Sequence, residues 1–207
     1  MSLFRANPAA KPRRVPARTA IHLMRVGEVA EPLLEDLRQG LEQQLRVPCE
    51  ILAEGLAPTF AFHEQRQQYN SSDILARLGE RLDRGFSQHE ANGEESFKPW
   101  RLLGVTELDL YIPILTFVFG EAQVGGRCAV VSTHRLRQEF FGLPPDEPLL
   151  RERLLKEAVH ELGHTFALKH CEDYRCAMAA AHAVEWIDLK GSAFCSACSA
   201  RVYAAAK

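Results

Sequence analysis

The sequence predicts a mixed α/β domain of the α+β kind, a twisted mixed β-sheet flanked by helices. Three observations carry that prediction. Strand-like and helix-like segments follow the order strand, helix, strand, helix, then strands, then one long helix. Leu33, Leu34, Leu37, Leu41 and Leu45 recur at helical spacing. The stretch from 101 to 132 holds three aromatic, β-branched or alternating runs punctuated by glycine.

Each element has a local reason. Thr19 to Val26 reads as a first strand. Pro32 suits the first turn of the helix that runs to Leu45. Cys49 to Leu56 reads as a second strand. RQQYNSSD (66–73) reads as a loop entering a helix capped by Ser71, Ser72 or Asp73, with Ile74, Leu75 and Leu78 inward. Residues 81–101 are polar and hold Gly85, Gly93 and Pro99, and they read mostly as loop. RLLGVTELDLY (101–111), LTFVF (115–119) and RCAVVS (127–132) read as strands. Gly120, Gly125 and Gly126 join the last two as a hairpin with a longer loop. Pro144-Pro145-Asp146 breaks the chain before a helix from Asp146 to about Phe166. On it, Leu155, Val159, Leu162 and Phe166 form a stripe for the sheet.

Composition excludes several classes. The 207 residues are 46% hydrophobic and 25% charged, an ordinary globular mix with enough apolar surface for one core. No apolar run approaches a membrane span, so no membrane partner is expected. Net charge is -2, so nothing calls for nucleic acid. Charge is uneven, however. Residues 1–27 carry six basic side chains and no acid, leaving 19 basic and 27 acidic residues in the rest. Residues 1–17 read as a flexible basic arm ahead of a single domain over 18–207. They lack a secretory apolar run, and Pro8, Pro12 and Pro16 oppose the amphipathic helix of a transit peptide. A cytoplasmic monomer is the resulting expectation.

Four of the six cysteines, Cys171, Cys176, Cys195 and Cys198, crowd near the C-terminus. Their C-x4-C and C-x2-C pairs fit a closed four-thiolate zinc site, which has no open position and is therefore structural. The rival is a redox dithiol at Cys195 and Cys198, and it leaves the first pair unexplained. Cys49 and Cys128 sit in apolar strands and read as core thiols.

The long helix carries HELGH at 160–164. His160 and His164, one turn apart, can reach one ion at about 2.0–2.1 Å each. Glu161 is too close to be a further ligand but is placed to take a proton from water on that ion. HExxH alone is equally compatible with two surface histidines. His170 changes that, since three imidazoles plus water make an open tetrahedral zinc site. A straight helix would carry His170 about 240° around the axis from His164, so the chain must turn between them.

HELGHTFALKH matches the metzincin pattern HExxHxxGxxH except at Ala167. With HCEDYRCAM and CSAC beyond it, and LGVTELDLY, FVFGEA and GGRCAVVS before it, the chain resembles the archaemetzincin zinc metallopeptidases. The resemblance spans roughly 101–201 well. It implies a compact metzincin-like fold and two zinc ions per chain. The catalytic ion would sit on His160, His164 and His170 with Glu161 as base. The structural ion would sit on Cys171, Cys176, Cys195 and Cys198, within 171–198, and Met178 would lie beneath the imidazoles. The substrate would be a peptide or protein bound along an edge strand, for which Leu115 to Gly120 is the candidate. Ala167, where the pattern has glycine, must adopt a left-handed turn. It keeps alive the alternative of a metal-binding regulatory or protein-interaction module with little turnover. A third, remote reading is a zinc-ribbon adaptor that uses the cysteines alone. Because His170 and Cys171 are neighbours, the cysteine site is expected to fix the approach of His170. Tyr174 and Tyr203 could reach a substrate oxyanion but read as structural, His182 reads as a surface residue, His63, His89 and His134 have no evident partner in the sequence, and Trp100 and Trp186 read as core or partly buried anchors.

Overall fold

The structure is a computed structural model and describes residues 20–91 and 101–205. The arm expected over 1–17 and Trp100 lie outside the described residues, as do the side chains of His89 and Tyr203.

The elements are β1 (Ile21–Arg25), α1 (Glu31–Leu45), β2 (Cys49–Ile51), β3 (Phe62–His63), β4 (Gln68–Asn70), α2 (Ser71–Ala91), β5 (Arg101–Thr106), β6 (Leu110–Tyr111), β7 (Gly120–Ala122), β8 (Cys128–Ser132), α3 (Glu147–Thr165), α4 (Val184–Leu189) and α5 (Ser196–Ala205). The main sheet has the order β2-β1-β5-β8-β7, parallel except for the antiparallel edge β7. A second sheet of β3, β4 and β6 lies beside it.

Successive strand residues point to opposite faces, and the core divides accordingly. Ile21, Leu23, Leu103, Val105, Ala129 and Val131 pack with α1 and α3. Met24, Val26, Leu102, Cys128 and Val130 pack with Ile74, Leu75, Leu78 and Leu82 of α2. Each inner strand is apolar on both faces because helices cover both, as parallel sheets require. Burial pushes the Cys49 thiol up to about 12 and the Cys128 thiol to about 11, so both behave as core thiols.

Several expectations need correction. LTFVF is not a strand: the edge strand is Gly120–Ala122, and residues 115–119 form the loop before it. Phe117 and Phe119 meet edge to face at 5.2 Å, and side chains hold the loop: Arg66 donates to the Leu115 and Thr116 carbonyls, and Gln68 to Thr116. Residues 81–91 are helical rather than loop, because Leu75, Leu78 and Leu82 continue one apolar stripe. The loop at 66–73 contains β4. The cap of α2 is Asn70, whose Oδ1 accepts from the backbone N–H groups of Ser72 and Asp73. The second strand ends at Ile51, with Leu56 returning only as a bridge to Val26. RLLGVTELDLY splits into β5 and β6. On α3, Val159, Leu162 and Phe166 face the sheet, while the half-buried Leu155 packs toward Gly40 of α1. Trp186 is exposed, not an anchor.

Candidate metal centres and active site

Helix α3 begins where Asp146 Oδ1 accepts from the Leu149 N–H at 2.9 Å. It ends in a Schellman turn: Leu168 N donates to Gly163 O and Ala167 N to His164 O. Ala167 occupies the left-handed position of that turn, with φ of 61°. The chain thus reverses after His164 despite the missing glycine, and His170 returns to the other two imidazoles.

The ring centroids of His160, His164 and His170 lie 4.7, 5.3 and 5.1 Å apart. His160 Nδ1 donates to the Ala177 carbonyl and His164 Nδ1 to the Leu168 carbonyl, both at 2.8 Å. Those bonds fix the tautomers and leave Nε2 free on each ring. Nitrogens around tetrahedral zinc at about 2.05 Å lie about 3.3 Å apart, and the two Nε2 atoms here are 3.1 Å apart. Burial depresses the basicity of all three imidazoles, most strongly at His160, so they are neutral as ligation requires. The donor set fits zinc.

Glu161 is buried at the back of a cleft of about 520 Å³, lined on one side by 115–122 and on the other by Ala180 to His182. Burial, with Glu157 nearby, holds its carboxyl well above the usual range. A Cβ at Gly120 would lie 2.6 Å from the Val130 carbonyl oxygen, 2.7 Å from Glu161 Cγ and 2.8 Å from its Oε1. Glycine at the start of the edge strand therefore makes room for this carboxylate. Gly163 plays the matching part below, since a side chain there would collide with the sulfur of the fully buried Met178.

Behind His160 lies a buried ion pair that the sequence pattern did not reveal. Lys190 Nζ is 2.6 Å from Glu157 Oε1, 3.3 Å from the Ala179 carbonyl and 3.4 Å from His160 Nδ1. Only the periodicity of α3, which places Glu157 inward beside Glu161, could have pointed to it.

Cys171, Cys176, Cys195 and Cys198 bring four sulfurs within 4.8 Å of one another. Thiolates at about 2.3 Å around a tetrahedral ion lie about 3.8 Å apart, and Cys171 Sγ and Cys195 Sγ are 3.8 Å apart. A disulfide needs about 2.05 Å, and all four are free thiols. This donor set also fits zinc.

Other residues fall outside the ligand clusters. His182 is exposed and lines the cleft rim. Tyr174 is exposed beside Arg175. His63 packs on Tyr111 and His134 on Phe140.

Comparison with known proteins agrees with this arrangement. The profile of peptidase family M54 matches residues 41–203. The archaemetzincin of Methanocaldococcus jannaschii is 39% identical over 173 residues, covering 84% of this chain and 87% of that protein. A crystal structure of a zinc-dependent peptidase from Methanocorpusculum labreanum matches with a TM-score of 0.79 at 30% identity, covering 88% of this chain and 99% of the other. The archaemetzincin of Archaeoglobus fulgidus, crystallised with malonate, matches with a TM-score of 0.71 at 32% identity, with the same coverage. The fold and site define a zinc metallopeptidase. The chain belongs to peptidase family M54, the family of the archaemetzincins.

Two outcomes follow from the geometry. Ala167→Gly relieves a left-handed alanine and stabilises the protein by about 1 kcal/mol. Thermal unfolding checks this, and a lowered Tm refutes the account of the turn. Gly120→Ala presses a methyl on both the Val130 carbonyl and the Glu161 side chain and lowers peptide turnover roughly 10- to 100-fold; unchanged zinc by metal analysis reports displacement of Glu161, and lost zinc reports disruption of the β7–β8 edge instead.

Proposed function

We propose that this chain hydrolyses peptide bonds with Glu161 as general base, His160, His164 and His170 holding the catalytic zinc, and Cys171, Cys176, Cys195 and Cys198 holding a second, structural zinc. The observation that carries the reading is the buried Glu161 carboxylate beside a three-imidazole cluster in an open cleft. Zinc on three imidazoles supplies a Lewis acid with an open position, able to activate water and polarise a carbonyl. Glu161 has its basicity raised by burial, so it is suited to take a proton from the attacking water and return it to the departing amine.

The substrate lies along β7. Ser132 N donates to Phe119 O and Gln123 N to Cys128 O. Antiparallel alternation then assigns the backbone groups of Gly120 and Ala122 to the side away from β8. An extended peptide adds there as a further strand, against apolar walls from Leu115, Phe117 and Val124. Ala167 in the left-handed position brings His170 toward the other imidazoles, which supports turnover over the low-turnover regulatory reading. The domain spans 18–207, with 171–198 as the cysteine subregion. Six unpaired thiols fit a reducing compartment such as the cytoplasm.

Glu161→Gln lowers peptide turnover by roughly 10²–10⁴-fold while zinc per chain, measured by atomic absorption, stays at the wild-type value. Wild-type turnover in that variant refutes the general-base role. Ala122→Pro removes a cleft-facing N–H without touching the ladder to β8. It should lower kcat/KM for peptides at unchanged zinc content, and a parallel loss of zinc would instead report disruption of the fold.

A further inference from the structure

Between residues 166 and 183 no residue belongs to a helix or a strand. This segment nevertheless carries His170 and the turn at Cys176 to Ala179 that holds Met178 (the methionine turn), so its path must be fixed by other means. Three consecutive residues, Cys176, Ala177 and Met178, touch both ligand clusters. Cys176 is one of the four thiols, and its sulfur accepts from the N–H groups of Met178 at 3.4 Å and Cys195 at 3.2 Å. The Ala177 carbonyl accepts from His160 Nδ1 at 2.8 Å, while its N–H donates to Ala193 O. The Met178 carbonyl accepts from the N–H of Cys171, which is both a thiol of the cluster and the residue after His170.

Two of the three imidazoles are therefore aimed by backbone groups adjacent to cysteine sulfurs. His170 is coupled through the Cys171 peptide, and His160 through the Ala177 carbonyl. His164 is coupled to neither, since its Nδ1 is held by Leu168 at the end of its own helix turn.

We propose that the four-cysteine centre is the positioning element of the histidine centre, so that the two centres bind metal cooperatively. The proposal rests on the reading of the histidine cluster as the catalytic zinc site. Its physical basis is the demand a tetrahedral ion makes on all four sulfurs at once. With the ion bound, Cys171 and Cys176 are fixed relative to Cys195 and Cys198, and the peptides leaving them have no slack. Without it, the sulfurs are held only by local contacts, such as the Met178 and Cys195 N–H groups on the Cys176 sulfur. The carbonyl that orients His160 then loses its fixed mount. Groups that orient metal ligands in this way typically change affinity 10- to 100-fold. Coupling between two binding sites is also reciprocal.

Cobalt(II) distinguishes the centres, because thiolate ligation gives charge-transfer absorption that imidazole ligation lacks. Full-length wild type and Cys195→Ser are titrated with Co²⁺ against a competing chelator. Cys195 neither neighbours His170 nor lies in the 176–178 tripeptide. The expected result is a histidine-centre affinity lowered about 10- to 100-fold in the variant. The reciprocal measurement uses His170→Asn, a change at an exposed residue that leaves the core intact. The thiolate centre should weaken in the same direction. Unchanged histidine-centre affinity in folded Cys195→Ser overturns the proposal. If that variant does not fold, unchanged thiolate-centre affinity in His170→Asn overturns it instead. Wild type that binds cobalt only at the thiolates defeats the catalytic-site reading itself, and this inference with it.

Discussion

A straight α-helix continued past His164 would point His170 away from the other two imidazoles. Whether three nitrogens meet is decided by one residue's backbone, the left-handed Ala167. Two hydrogen bonds close the turn around it, from Leu168 to Gly163 and from Ala167 to His164. Alanine in that region costs about 1–2 kcal/mol, and glycine would remove most of the cost. Several groups hold the strained residue. Leu168 is buried one position on and its carbonyl takes the His164 Nδ1 proton, while Gly125 N also binds the His164 carbonyl. The same few atoms thus end the helix, orient a ligand and anchor the loop after the edge strand.

Beneath the imidazoles lies a buried ion pair. Lys190 and Glu157 are almost wholly buried and 2.6 Å apart. Such a pair roughly balances its own desolvation, and it costs several kcal/mol only when one partner is removed. Its value here lies in position. The ammonium also reaches the Ala179 carbonyl, so it joins α3 to the methionine turn at the level of His160. On the same helix, Arg153 pairs with Asp188 through two short contacts and donates to the Leu136 carbonyl. The segment after the turn is therefore tied to α3 by two buried cations as well as by packing.

Much of this was legible because the chemistry is local in sequence. HELGH places two imidazoles and a carboxylate by helical periodicity alone, and the two cysteine pairs announce themselves by spacing. The third histidine was legible only together with the turn it requires. What escaped depends on distance along the chain or on missing side chains. Lys190 lies 30 residues from His160 and belongs to no motif. Gly120 matters through space it leaves for Glu161, which no residue pattern announces. LTFVF has strand composition, yet only Val118 and Phe119 make single pairing bonds, to Leu110 and Ser132, while Phe117 meets Phe119 edge to face and carries Arg135 on its own face. The later turns of α2 look polar because their outer face carries pairs such as Arg84 with Glu80.

The edge strand shows how the fold converts these details into a working cleft. β7 is the only antiparallel strand of the main sheet as described, and it is also the edge nearest α3. Its short length keeps exposed ladder groups few, which limits unwanted pairing with other chains. Glu121, between the two outward-facing residues, turns its carboxylate to Ser71 and Ser72 at the start of α2. That anchor fixes the strand from the opposite layer of the molecule. Support at the edge then comes from α2, and support at His160 and His164 comes from α3 and the Ala177 and Leu168 carbonyls. The space between them is the cleft onto which Glu161 and the three imidazoles open.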